Sequence, residues 1–123
     1  MLQYNHQPKG VIVLKENFVS DLLRGHTDTV VLSILAKGDN YGYEIRKTII
    51  DKAGGGFELK EATLYSSYKR LEDGGYITSH WGDETQGGRR RYYRITNAGL
   101  ELYRQNKSDW YKTQELLNKF LED

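Results

Sequence analysis

Apolar residues recur at helical spacing in four stretches of this chain, and at strand spacing between the third and the fourth. In "TDTVVLSILAKGD", Val30, Val31, Ile34 and Leu35 fall on one stripe, which predicts a helix with Thr27 or Asp28 as its N-cap. Gly38 is its expected stop, in a left-handed C-cap. In "NYGYEIRKTIIDKAGGG", Tyr41, Ile45 and Ile49 repeat at i, i+4, i+8, and the glycines from Gly54 to Gly56 end the second helix. The third, "ELKEATLYSSYKRLEDGGYI", places Leu64, Tyr68 and Leu71 inward and stops at Gly74 and Gly75.

The period then changes to two. "YITSHW" and "RRRYYRIT" are rich in aromatic and β-branched residues, with the turn chemistry of "GDETQGG" between them, so a two-stranded hairpin is expected. After Gly99 no glycine or proline interrupts the remaining residues, which predicts one long helix with Asn97 as its cap. Tyr103, Trp110 and Leu117 recur every seven residues there, and Phe120 and Leu121 continue the stripe. This element order is that of a mainly α fold with a small β-hairpin: a winged helix-turn-helix followed by a long C-terminal dimerisation helix. The expected division is an arm over 1–20, a DNA-binding domain over 21–98 and the dimerisation helix over 99–123. The arm holds the only proline, Pro8, and one short apolar run, Val11 to Leu14.

Composition narrows the function. Hydrophobic residues are 37% of 123, so the core is thin and a second copy would help to bury the terminal stripe. The net charge is +1, so any basic surface has to be local. No cysteine is present, which removes thiolate nucleophiles and zinc-thiolate sites and suits a reducing cytoplasm. The apolar run in the arm is far short of a membrane span, and no signal peptide is recognisable, so a cytoplasmic location and no membrane partner are expected. His6, His26 and His80 stand far apart, and the triple glycine follows a helix where a phosphate loop would follow a strand. No catalytic motif is visible, so neither an enzyme, a metal site nor a cofactor is expected.

Two groups of residues carry the functional reading. On the third helix Thr63, Ser66, Ser67 and Arg70 share a face beside the inward stripe, flanked by Lys60 and Lys69. Small hydroxyls let a helix approach a groove floor, while Arg and Lys reach phosphates or guanine edges. On the hairpin, alternation puts Arg90, Tyr92 and Arg94 on one side and Arg89, Arg91 and Tyr93 on the other, with Ile95 re-entering the core. Arginine forks suit phosphate and narrow minor grooves. Two bland readings stay open: an ordinary polar helix surface, and a charged tip that guards an edge strand. A winged helix that meets an acidic protein instead of DNA is the remaining alternative.

"GHTDTVVLSILAKGDNYGYEIRK", "LKEATLYSSYKRLEDGGYI" and "GGRRRYYRITNAG" together resemble the PadR family of bacterial transcriptional regulators, over roughly residues 21–121. The single terminal helix is similar to the small PadR subfamily, which includes multidrug-sensing members. The resemblance implies a homodimeric repressor on inverted-repeat promoter DNA. It would set Tyr65 and its helix neighbours at the DNA, with Arg89, Arg90, Arg91 and Tyr92 of the wing on the backbone. It also implies a planar hydrophobic effector held between a pair of Trp110 side chains, with Leu22, Thr29, Ser33 and Gln114 around it. The chain departs from the pattern at Ser66, where many members have proline, and at Gln114, where a multidrug-sensing member has a carboxylate.

Overall fold

The computed structural model describes residues 25–55, 59–82 and 89–122. The expected arm over 1–20, Leu22 and the "DETQGG" tip lie outside these. The described residues form α1 (Thr27–Leu35), β1 (Asn40–Tyr41), α2 (Gly42–Lys52), α3 (Glu61–Asp73), β2 (Ile77–Trp81), β3 (Arg91–Ile95) and α4 (Asn97–Leu121). This is a mainly α, winged helix-turn-helix arrangement. None of the described helices is long and apolar enough to cross a membrane.

The inward stripes fall largely where periodicity puts them. Val31, Leu32, Ile34 and Leu35 of α1, Ile45 and Ile49 of α2, and Leu64, Tyr68 and Leu71 of α3 share one core with Ile77 and Tyr93 from the sheet. Leu32, outside the expected stripe, is fully buried because α1 is enclosed on several sides, with α3, α4 and β3 all packed on it. The glycine stops of α2 and α3 hold. Beyond α3, Gly75 takes φ 78°, the Tyr76 N–H donates to Leu71 O at 2.9 Å and the Gly75 N–H to Glu72 O at 3.0 Å. That paired closure needs a left-handed residue, which glycine supplies without Cβ strain. The α2 end repeats it, with Gly54 at φ 64°.

Three local expectations are corrected. His26 is the N-cap of α1, and Thr27 and Asp28 lie inside the helix with Thr27 buried. That helix ends on Ala36, and Gly38 follows at φ 151°, outside the left-handed helical region. At the start of α4 the cap is Thr96, whose hydroxyl accepts from the Gly99 N–H at 3.1 Å, and Asn97 is already helical.

The hairpin acquires a third strand. β3 is central, paired antiparallel with β2 (Ile77 opposite Ile95, Trp81 opposite Arg91) and with β1 (Asn40 opposite Tyr93, Tyr41 opposite Tyr92). Two residues of β1 are too few to show a period. Their effect is large, because β1 leads directly into α2 and so ties the start of that helix to the wing. A hydrogen bond from Thr96 Oγ1 to Gly75 O at 2.8 Å and another from the Thr96 N–H to Tyr76 O close the base of the hairpin under α4.

Candidate nucleic-acid interface

α3 is an 13-residue helix with one face on the core and the other in solvent. Lys60, Thr63, Tyr65, Ser66, Lys69 and Arg70 are all exposed, and Tyr65 is 63% so. Its start is held by α2: the Arg46 guanidinium donates through Nε to Leu59 O at 3.2 Å. The Ser66 hydroxyl turns back to Ala62 O at 3.0 Å, which leaves a small, close-approach surface at that position.

Ser67 was expected on this face and is instead fully buried. It lies three residues from Leu64 and four from Leu71, so it belongs to the core stripe, and its small side chain makes room for α1. Its hydroxyl donates to Asp28 Oδ1 at 2.6 Å. Arg70 also reaches Asp28, with Nη2 to Oδ1 at 2.6 Å and Nε to Oδ2 at 3.0 Å. Burial alone would raise the Asp28 pKa, and the hydrogen bonds from Arg70 and Ser67 with the Arg70 charge outweigh it, so the carboxyl sits below its ordinary value. Sequence reasoning missed Asp28, whose partners lie about 40 residues further along.

The strand arginines divide into two kinds. Arg91 Nη2 donates to both Glu72 carboxylate oxygens at 3.1 Å and to Ser79 Oγ at 2.9 Å, while its guanidinium lies over Tyr93. Arg94 pairs with Asp39 at 2.8 Å, and His80 reaches the same carboxylate at 3.1 Å. Those hydrogen bonds, Arg94 first, hold the Asp39 carboxyl below its ordinary value despite some desolvation. Arg89 and Arg90 rest on rings instead, 5.3 Å from the Trp81 centroid and 4.8 Å from that of Tyr41. A guanidinium on a ring keeps its charge and its donors.

The alternation of β3 holds, with a consequence for its tyrosines. Tyr93 enters the core and stacks on Tyr68 at 4.5 Å. Tyr92, expected at DNA, is half-buried in a row with His80 and Tyr41, at 5.7 and 5.3 Å. A single cleft, lined in part by Tyr43, Glu61, Tyr65, Arg90 and Arg91, brings the starts of α2 and α3 and the arginine end of β3 to one side of the molecule.

α4 runs for 25 residues, roughly 37 Å at 1.5 Å per residue. Leu102 and Tyr103 pack on the core, and Asn106 Nδ2 donates to Thr29 Oγ1 at 3.0 Å. Trp110 meets His26 edge-on at 5.1 Å and remains 41% exposed. Beyond it Leu116, Leu117, Phe120 and Leu121 are bare, Phe120 to 78%. Of the expected effector residues, Thr29 is tied to Asn106, Ser33 bonds its own helix at Val30 O, and Gln114 is exposed. His26 and Asn106, which sequence reasoning passed over, are what link α1 to α4 around Trp110. No group of residues able to hold a metal ion occurs among the described residues.

The family model of the transcriptional regulator PadR-like family matches residues 31–105. A Clostridium thermocellum transcriptional regulator of known structure is 48% identical, with a TM-score of 0.77 over 84% of this chain and all of that one. An uncharacterized protein of Lysinibacillus sphaericus is 39% identical over 103 residues, 84% of this chain and 94% of its own length. Bacillus subtilis PadR in complex with operator DNA is 25% identical, with a TM-score of 0.57 over 68% of this chain and 46% of that one. Members of the matched family are transcriptional regulators, not enzymes. With the winged fold, the exposed face of α3 and the arginine-bearing strand already in place, these likenesses fix the assignment: the chain belongs to the PadR-like family of transcriptional regulators.

Proposed function

We propose that the chain is a repressor that binds inverted-repeat promoter DNA as a homodimer. The observation that carries this reading is the shared side of α3 and the β3 arginines, around one cleft. α3 enters the major groove with Thr63, Tyr65, Ser66 and Lys69 foremost. Lys60 and Arg70 flank it, and Arg89 and Arg90 reach the backbone from the wing. Arg70 and Arg91 each have a carboxylate partner, Asp28 and Glu72, so their contribution to phosphate binding is the smaller one.

The bare stripe of α4 pairs with the same stripe of a second copy, through Trp110, Leu117, Phe120 and Leu121, with Tyr103 joining it to the core. A planar hydrophobic effector fits between the two Trp110 rings, near Thr29, Ser33 and Gln114. It releases DNA only by binding the DNA-incompetent dimer more tightly. Leu22 and the arm belong to this proposal through the family resemblance alone.

Footprinting on the region upstream of the protein's own gene tests the reading. Two protected half-sites with centres about one helical turn (~34 Å) apart are expected. A single unpaired footprint, or no protection at modest salt, contradicts it.

A further inference from the structure

The cleft between α2, α3 and β3 measures about 560 Å3. Gly42 and Tyr43 bring the first turn of α2 to it, and Glu61 and Ala62 bring that of α3. Neither helix has a side-chain N-cap. The first amides of each lack intrahelical partners and present partial positive charge, to which Arg90 and Arg91 at the cleft add full charges. Glu61 is the one acid lining it.

In the same wall lies Tyr68, only 6% exposed. Its ring stacks on Tyr93, and its Cε2 lies 3.9 Å from where a side chain on Gly42 would begin, which sets the hydroxyl-bearing half of the ring beside the start of α2. Among the described residues, the Tyr68 hydroxyl is the one buried side-chain polar atom without a hydrogen-bond partner. Burial raises the Tyr68 pKa well above the ordinary tyrosine value, so the group stays a donor throughout the working pH range. An orphaned buried donor is costly, and phenylalanine would pack the same ring without that cost. Its retention calls for an acceptor that arrives from outside.

We propose that this cleft seats one phosphate of the bound DNA backbone, with the Tyr68 hydroxyl and the first-turn amides of α2 as donors and Arg90 supplying charge. The inference rests on the DNA-binding reading and adds a residue to it that the exposed surface does not reveal. A backbone phosphodiester is favoured over a free ion because the cleft opens beside the exposed Tyr65, between the recognition helix and the wing, where a DNA strand passes from one to the other.

The test is Tyr68→Phe, assayed on a duplex from the upstream region of the protein's gene. No internal hydrogen bond is removed, so the thermal midpoint should be equal to or above that of the parent. Affinity should fall at least about tenfold, the loss of one hydrogen bond to a charged acceptor. A neutral methylphosphonate walked along the footprint should weaken the parent at one phosphate per half-site and cost the Phe variant nothing further there. Equal affinities of parent and variant, or additive losses at every phosphate, overturn the proposal. So does inorganic phosphate that binds the parent and not the variant while both hold the duplex equally, which assigns the cleft to a free anion. If the parent itself does not bind the duplex, the DNA-binding reading fails and takes this inference with it. If the parent binds and only the Tyr68 effect is missing, this inference alone fails.

Discussion

Asp28 holds Arg70 through both carboxylate oxygens, at 2.6 and 3.0 Å, across the junction of α1 and α3. The same carboxylate accepts from the buried Ser67 at 2.6 Å. One residue further along α1, Thr29 accepts from Asn106 of α4. The first turn of α1 therefore fixes the recognition helix on one side and the terminal helix on the other. The position of Arg70 at the DNA face is set by this contact as much as by its place on α3.

Replacing Asp28 by Asn should lower stability by about 1–2 kcal/mol in urea melts, since Asn keeps an acceptor for Ser67 and loses the charge-assisted fork to Arg70. Arg70 is largely exposed, so solvent limits the ion-pair share to about 1 kcal/mol or less. The pH dependence follows from the lowered Asp28 pKa. A carboxyl with a depressed folded value stabilises above its unfolded pKa, near ~3.9, and that stability is lost as pH falls through the folded value. Below about pH 4 the parent should therefore lose stability more steeply than Asp28→Asn. Parallel curves would show that the fork contributes nothing.

Gly99 lies buried in the first turn of α4, where a Cβ would fall on the Tyr76 carbonyl oxygen and 2.7 Å from Ile95 Cγ1. Gly99→Ala should destabilise by about 1–3 kcal/mol despite the better helix propensity of alanine. A urea midpoint unchanged from the parent would mean that the contact between α4 and the hairpin base relaxes freely.

The stripes of α1, α2 and α3 were legible because burial follows a period, as Leu64, Tyr68 and Leu71 show. Ser67 was misplaced because a small hydroxyl residue beside that stripe fits either a groove or a tight helix contact. Only its partner decides, and Asp28 is 39 residues away. β1 left no pattern in two residues, so its tie between α2 and β3 became visible only in three dimensions. The arginine run was legible as a cluster. Its division into Arg91 and Arg94 on carboxylates and Arg89 and Arg90 on rings was not, because Glu72 and Asp39 belong to other elements.

The bare end of α4 predicts the oligomeric state. Sedimentation of the parent should give a dimer, and Leu117→Glu with Phe120→Glu should give a folded monomer, because both side chains lie outside the protomer's own core. A double variant that stays dimeric would place the interface elsewhere.

Trp110 supplies the effector readout. Titration with a planar dye should quench tryptophan fluorescence in the parent. The Trp110→Ala variant, in which Trp81 is the remaining tryptophan, should bind the dye at least tenfold more weakly, a loss of about 1.4 kcal/mol. Equal dye affinity in the two proteins would end the effector proposal.

The central claim is that DNA is held by the α3 face and by the two ring-supported guanidiniums of the wing. Affinity for the upstream duplex, measured across a series of salt concentrations for the parent and for Arg89→Ala with Arg90→Ala, tests it most directly. The account predicts weaker binding to specific and unrelated duplexes alike, with the slope of log affinity against log salt shallower by about two, one for each lost phosphate contact. An unchanged affinity and an unchanged slope would contradict it, and would make the arginine run a solvated tip.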